Sequence, residues 1–299
     1  MKRLDSIVAG TDFSTCSRSA LFQAARLAGR RQAALHVVHV IDSLVLSDLA
    51  EALRQSPDEL RRQVLGDTEG RLERLLKDIE RPESFATDVR VGPPVQEILE
   101  KTRSVSADLL VLGAQGEVDA ERGIGTLAAR CVRSSPCETL LVQERQTGPF
   151  RHILACIDFS PVSRAVVEEA IALATLDGSR VEVAHVFYGP WHRLHYRAPT
   201  PQAPPKFQQQ YTDVLRARLE GFIEPFRKAA EGIEVESCLL ESQSCGRRLA
   251  EHARERQADL LVLGTSGKSN LRHLLLGGTA ERILREASCS MLVVPAGAA

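Results

Sequence analysis

The chain has 299 residues, 43% hydrophobic and 26% charged, and its 38 Lys and Arg against 39 Asp and Glu leave a net charge of −1. That balance argues against a dedicated nucleic-acid or anionic-membrane binder, whose phosphate partners demand a basic excess. No apolar run approaches the roughly 18 residues of a membrane helix. Seven cysteines without a Cys-x-x-Cys pair fit a reducing compartment rather than a disulfide framework. An acid at Asp5 sits where a signal peptide needs its apolar stretch. A cytoplasmic protein is expected, and its length favours two domains.

The predicted elements alternate. Strand patterns cover Ser6 to Gly10, Leu35 to Ile41, Val89 to Val91, Leu109 to Leu112 and Leu140 to Val142. Between them run helical stripes, Leu21, Ala24, Ala25 and Ala28 first, then Leu72, Leu75, Leu76 and Ile79. The pattern then starts again. Val167, Ala170, Ile171 and Ala174 repeat the first stripe, and Leu219, Phe222, Ile223 and Phe226 the second. Ala280, Ile283, Leu284 and Ala287 make the last helix. Ala107-Asp108-Leu109-Leu110-Val111-Leu112-Gly113 recurs letter for letter from Ala258 to Gly264, and Asp12-Phe13-Ser14 recurs as Asp158-Phe159-Ser160. Two copies of one unit are expected, residues 1–147 and 148–299, joined near Gly148-Pro149. Five strands alternating with helices, some of them unbroken apolar runs, predict an α/β fold with a doubly wound, five-stranded parallel sheet in each copy. Ligands of such sheets bind beyond the carboxyl ends of the strands, at the topological switch point.

In the second copy those ends carry Asp158-Phe159-Ser160, His185-Val186 and Gly264-Thr265-Ser266-Gly267. Nine residues separate Gly267 from Gly277-Gly278-Thr279, which opens the last helix. A helix N-terminus bears roughly half a positive charge, and a glycine turn there points free N–H groups outward, which suits a phosphate. Asp158 could accept hydrogen bonds from a ribose or an adenine edge; alternatively, Asp158 and Ser160 only cap the helix that follows.

Gly264-x2-Gly267-x9-Gly277, after an Asp-Leu-Leu-Val-Leu-Gly strand and an early Asp-x-Ser, resembles the universal stress protein family, whose ATP-binding pattern is Gly-x2-Gly-x9-Gly-[Ser/Thr]. The likeness runs through the whole chain twice, as in the tandem-domain members. It implies two Rossmann-like domains and a stress-response sensor or signalling role. ATP, with or without Mg²⁺, would be bound and at most slowly hydrolysed, with no catalytic residue nominated. Carried over, the adenine and ribose contacts fall on Asp158, Gly264 and Gly267 and the phosphate contacts on Gly277 and Gly278. Ser160, Val186, Leu263 and Thr279 complete the candidate lining. This chain has Gly278 where the family has Ser or Thr, at an expected cost of about 1 kcal/mol in lost hydrogen bonding. Thr279 stands one place on to compensate. The first copy offers Asp12, Val40, Gly113, Gly116, Gly125 and Thr126, but only eight residues separate Gly116 from Gly125. Its loop carries Glu117, Asp119, Glu121 and Arg122, against Lys268 and Arg272 in the second copy. A triphosphate is therefore expected to prefer the second copy. The family also implies assembly through the last strands, Leu140 to Gln143 and Met291 to Pro295, within the chain and compatible with a homodimer. A nucleotide-free protein-interaction module of the same fold is the alternative.

Other signals are weaker. Gly267-Lys268-Ser269 ends like a P-loop, but Val262 stands where its first glycine belongs. Gly264 to Gly267 is one residue too short for a nucleophile elbow. The proline-rich loop from Gly189 to Lys206, with Trp191, His192, His195 and Tyr196, reads either as a lid over the nucleotide or as a solvated connector. No neighbouring ligand completes a metal set at His192 and His195, so no metal site is nominated. His39 and His185 recur at strand-two ends, as functional groups or as satisfied, partly buried side chains.

Overall fold

A computed structural model describes residues 4–116, 124–192, 205–265 and 277–297. By contact density the chain divides into two units, one of Lys2–Gly148 with Ser290–Pro295 and the other of Pro149–Cys289 with Ala296–Ala299.

In the first unit β1 (Ser6–Thr11), β2 (Ala34–Asp42), β3 (Phe85–Gly92), β4 (Leu109–Gly113) and β5 (Glu138–Val142) form a parallel sheet in the order β3-β2-β1-β4-β5. β1 and β5 are buried along their full length, as strands covered on both faces must be. α1 (Thr15–Arg31) packs on β1, β4 and β5, and α4 (Pro94–Ser104) on β2 and β3. α5 (Thr126–Ser134) leads into β5. One strand here is not parallel: β10 (Ser290–Val294) runs antiparallel to β5, with Leu292 opposite Leu140. Its burial is complete, and the Ser290 hydroxyl accepts the Gln143 N–H at 3.1 Å. The sheet is thus mixed, though mostly parallel.

The second unit repeats the plan. β6 (His152–Ile157), β7 (Arg180–Phe187), β8 (Val235–Glu241) and β9 (Leu260–Gly264) lie in the order β9-β6-β7-β8, all parallel. α6 (Val162–Asp177), α7 (Pro205–Ala229), α8 (Cys245–Glu255) and α9 (Gly278–Glu286) complete it. α6 stops where Gly178 takes a left-handed conformation, φ 69°.

Two helical readings need adjusting. The stripe Leu72 to Ile79 straddles the end of α3 (Pro57–Leu75) and a 3-10 turn over Leu76–Asp78. Before it lies α2 (Ser43–Leu53), which the apolar pattern did not announce because its leucines face outward: Leu44 is 73% and Leu53 53% exposed. Among the described residues no helix is long and apolar enough to cross a membrane.

Candidate functional site

Both copies turn off their first strand in the same way. After β1 the Ser14 N–H donates to Asp12 Oδ1 at 3.0 Å; after β6 the Ser160 N–H donates to Asp158 Oδ1 at 2.9 Å. Between each pair a phenylalanine sits in left-handed backbone, φ 67° at Phe13 and 59° at Phe159, at a cost of about 1–2 kcal/mol for a bulky L residue. Packing offsets that cost. The Phe13 ring lies 4.5 Å from the His39 ring, with the Arg71 guanidinium 4.2 Å from the Phe13 centroid. Phe159 repeats the arrangement with His185 at 4.5 Å and Arg218 at 4.3 Å. Each histidine Nδ1 donates to the carbonyl that ends strand one, Thr11 at 2.7 Å and Ile157 at 2.9 Å. The recurrent histidines therefore brace the turn. Burial lowers the His39 pKa, with Arg71 adding to it and the Thr11 carbonyl and Asp12 opposing, so the ring is neutral at pH 7.

The turn in each copy delivers its aspartate to a cavity at the carboxyl ends of the two central strands. In the second unit the cavity is about 310 Å³ and is lined by Asp158, Val186, Leu263, Gly264, Gly277, Gly278 and Thr279. Those are candidates from four separated stretches of sequence. Gly267 lies outside the described residues, as do Lys268 and Arg272. Ser160 is buried, with its hydroxyl 3.4 Å from that of Ser163, and is absent from the lining. It belongs to the turn rather than to the cavity.

Sequence reasoning missed the rest of the wall. Ser163 donates its hydroxyl to Asp158 Oδ1 at 3.1 Å and accepts the Asp158 N–H at 3.3 Å, which locks the carboxylate in place. Val162, Val166, Leu249 and Ile283 add an apolar face, and Cys245 joins them. Burial raises the Cys245 thiol, a backbone hydrogen bond opposes it and the charge of Asp158 adds to it, so the sulfur is neutral at pH 7. A helical stripe in sequence says only that these residues are buried. Which of them border a void depends on the strand ends.

One expectation about the glycine turn changes. Gly277 does not offer a free N–H, because it donates to the Thr265 carbonyl at 2.8 Å and so closes the loop. The Glu281 N–H is the first to bond back into the helix, to the Gly277 carbonyl at 2.9 Å. The first-turn amides without an intrahelical partner are therefore those of Gly278, Thr279 and Ala280, one residue later than the glycine pair suggested.

The first unit holds a smaller cavity, about 210 Å³, lined by Asp12, Val40, Gly113, Gly116 and Gly125. Thr126 lies apart, in a depression between α4 and α5. Gly113 answers to packing, since a Cβ there would come within 2.6 Å of the Ser17 nitrogen on α1. Gly116 answers to the site, since its Cβ would sit 3.0 Å from Asp12 Oδ2. Burial raises the Asp12 pKa, but hydrogen bonds from Ser14 and Ser17 outweigh it and the net direction is down. Gly125 N–H is spent on the Ala114 carbonyl at 2.8 Å, like its counterpart. The acidic loop at 117–123 lies outside the described residues.

Of the proline-rich loop, Trp191 is buried against Tyr211 and Phe207, with ring centroids 5.6 and 6.3 Å away, and its indole covers Gly189. This end of the loop packs as core. His195 and Tyr196 lie outside the described residues.

The family model of the universal stress proteins matches residues 4–143 and again residues 149–295. The chain belongs to the universal stress protein family. It is a tandem member, with two family domains in succession. A universal stress protein of Mycobacterium bovis is 24% identical over 304 residues, covering 98% of this chain and 97% of the relative. One from Methanocaldococcus jannaschii is 34% identical over 85 residues, 28% of this chain and 49% of that one, so the match spans about half that relative's length. Among solved structures, a universal stress protein from Archaeoglobus fulgidus superposes with a TM-score of 0.68 at 18% identity, covering 98% of this chain and 97% of that one. A Pseudomonas aeruginosa protein described as functionally unknown gives 0.64 at 19%, covering 98% and 93%. At that identity the likeness concerns the fold of this universal stress protein.

Proposed function

We propose that this universal stress protein binds an adenine nucleotide, ATP foremost, in the second unit, and works as a nucleotide-dependent sensor or signalling module. The observation that carries the reading is the shape of one cavity. An apolar slot, a carboxylate locked by Ser160 and Ser163, and the first turn of α9, with the amides of Gly278, Thr279 and Ala280, all border the same 310 Å³ space. The slot suits a purine face, the carboxylate its hydrogen-bond donors, and the helix start its phosphates. Asp158 already accepts hydrogen bonds from two groups, which suits recognition better than proton abstraction.

The first unit is the weaker site on this reading. Its cavity is smaller than the roughly 300 Å³ at which ligand pockets begin. Where α9 presents the Thr279 hydroxyl, α5 presents the side chain of Leu127. Native mass spectrometry of freshly purified full-length protein tests the proposal. The expected result is an adenine nucleotide retained, or one equivalent taken up from added Mg·ATP; a chain that is ligand-free and takes up none overturns it.

A second reading, a protein-docking module, has one observation in its favour. Val45, Leu49 and Leu53 on α2 are 63%, 40% and 53% exposed, an apolar stripe at helical spacing.

A further inference from the structure

At the other end of the second unit's sheet, about 20 Å along β6 from Asp158 at 3.3 Å per residue, three metal-ligating side chains meet under α8 and a fourth adjoins Glu182. His152 is the first residue of β6, Glu182 stands on β7, Cys238 on β8 and His252 on α8. The β7–β8 register pairs Glu182 with Glu236, so Cys238, two residues on, points to the same face. Glu182 and the two histidines are buried. His252 Nε2 lies 2.8 Å from Glu182 Oε1 and 3.5 Å from Cys238 Sγ, and one ligand atom of each of these three residues lies within 4.8 Å of the others. Tetrahedral bonds of about 2.05 Å to nitrogen and 2.3 Å to sulfur require ligand atoms roughly 3.4–3.6 Å apart. The His252–Cys238 distance already matches that geometry, and the His252–Glu182 pair would open by about half an ångström.

His152 supplies a second, independent observation. The residue is 4% exposed, and its Nε2, 3.2 Å from Glu182 Oε2, has no hydrogen-bond partner. Its Nδ1 faces the Arg256 carbonyl at 3.1 Å, with Arg180 Nη2 also at 3.2 Å. A proton on Nδ1, donated to that carbonyl, leaves the Nε2 lone pair aimed at a carboxylate. A cation between them relieves that pair, as does a proton moved to Nε2 with Arg180 donating to Nδ1 instead. The surroundings hold the carboxylate in place: Arg256 Nε donates to Glu182 Oε2 at 3.2 Å.

The first copy has Ser6, His36, Asp88 and Lys101 at the matching positions, by the repeat offset and by sheet register. There the chain supplies its own cation, with Lys101 Nζ 3.2 Å from Asp88 Oδ2. We propose that His152, Glu182, Cys238 and His252 form a buried four-ligand site for a divalent transition metal of the zinc class. Two imidazoles, one thiolate and one carboxylate match that class rather than Mg²⁺ or Ca²⁺, which take all-oxygen sets. Closed coordination by four side chains makes the site structural.

Titration of chelator-treated full-length protein with Co²⁺ tests this. One Co²⁺ per chain is expected, with the intense visible bands of tetrahedral coordination and a thiolate charge-transfer band, both bleached by one equivalent of Zn²⁺. Cys238→Ser removes the charge-transfer band and weakens binding at least tenfold. His252→Lys, which copies the first unit's built-in cation, lowers affinity at least a hundredfold. The proposal is overturned if wild-type protein binds no more Co²⁺ than Cys238→Ser does, or if its spectrum is weak, octahedral and unchanged by that substitution. The wild-type and Cys238→Ser spectra decide the matter even if His252→Lys fails to fold.

Discussion

Under the helix that follows the third strand of each copy, the same backbone frame holds two different interiors. In the first copy Asp88 meets Lys101 at 3.2 Å and Arg90 at 2.9 Å, and Arg90 reaches on to Glu97 at 3.2 Å. In the second, Glu182 meets His252 at 2.8 Å and His152 at 3.2 Å, with Cys238 beside them. The duplication kept what packing dictates and let the buried polar groups diverge. The strand-end cavities show the same division. The Asp-Phe-Ser turns superimpose in their bonding pattern, whereas the helix starts differ by a hydroxyl at Thr279 against an alkyl chain at Leu127. Equivalent place in the fold therefore does not give equivalent chemistry.

The comparison is broken most forcefully at the first copy's ion cluster. Burial raises the Asp88 pKa, but hydrogen bonds and charge from Arg90 and Lys101 outweigh it and hold the carboxyl below its ordinary value. A depressed folded pKa contributes stability that is complete above the unfolded carboxyl pKa near 3.9 and is lost as pH falls through the folded value. Asp88→Asn should cost about 1–3 kcal/mol at pH 7 in denaturant unfolding, with the deficit shrinking below about pH 4. A deficit unchanged between pH 7 and pH 3 contradicts the ion-pair account. Chelation should leave the difference between Asp88→Asn and wild type unchanged, because among the described residues the first copy's cluster holds no metal ligand set.

The braced turns should respond alike in the two copies. Arg71→Ala and Arg218→Ala each remove a guanidinium from over a phenylalanine in left-handed backbone, and each should lose about 0.5–1 kcal/mol in thermal unfolding. Losses that differ by more than twofold show that the two turns are not energetically equivalent.

Much of this was legible in the sequence, and for identifiable reasons. The repeated Asp-Leu-Leu-Val-Leu-Gly strand and the returning helical stripes gave the doubly wound units, because strands covered on both faces leave an unbroken apolar signature. Asp158, Gly264 and Gly277 could be nominated because a strand end and a helix start are local events. Helix α2 stayed hidden since its apolar side faces outward, against the rule by which the stripes were read. The start of the first-turn amides was placed one residue early, because the bond from Gly277 to the Thr265 carbonyl spans a loop. Least visible was the cluster of His152, Glu182, Cys238 and His252. Its members are spread over a hundred positions and meet only through sheet register and the seating of α8.

The nucleotide reading is tested most directly by calorimetric titration of ATP into two full-length variants, Gly278→Asp and Thr126→Asp. Each puts a carboxylate at the first residue of the corresponding helix, where it favours the helix dipole and leaves the fold intact. Gly278 has open space around it for the new side chain. The account predicts that Gly278→Asp weakens ATP binding at least a hundredfold while Thr126→Asp changes it less than twofold. Equal losses, or a loss confined to Thr126→Asp, contradict it.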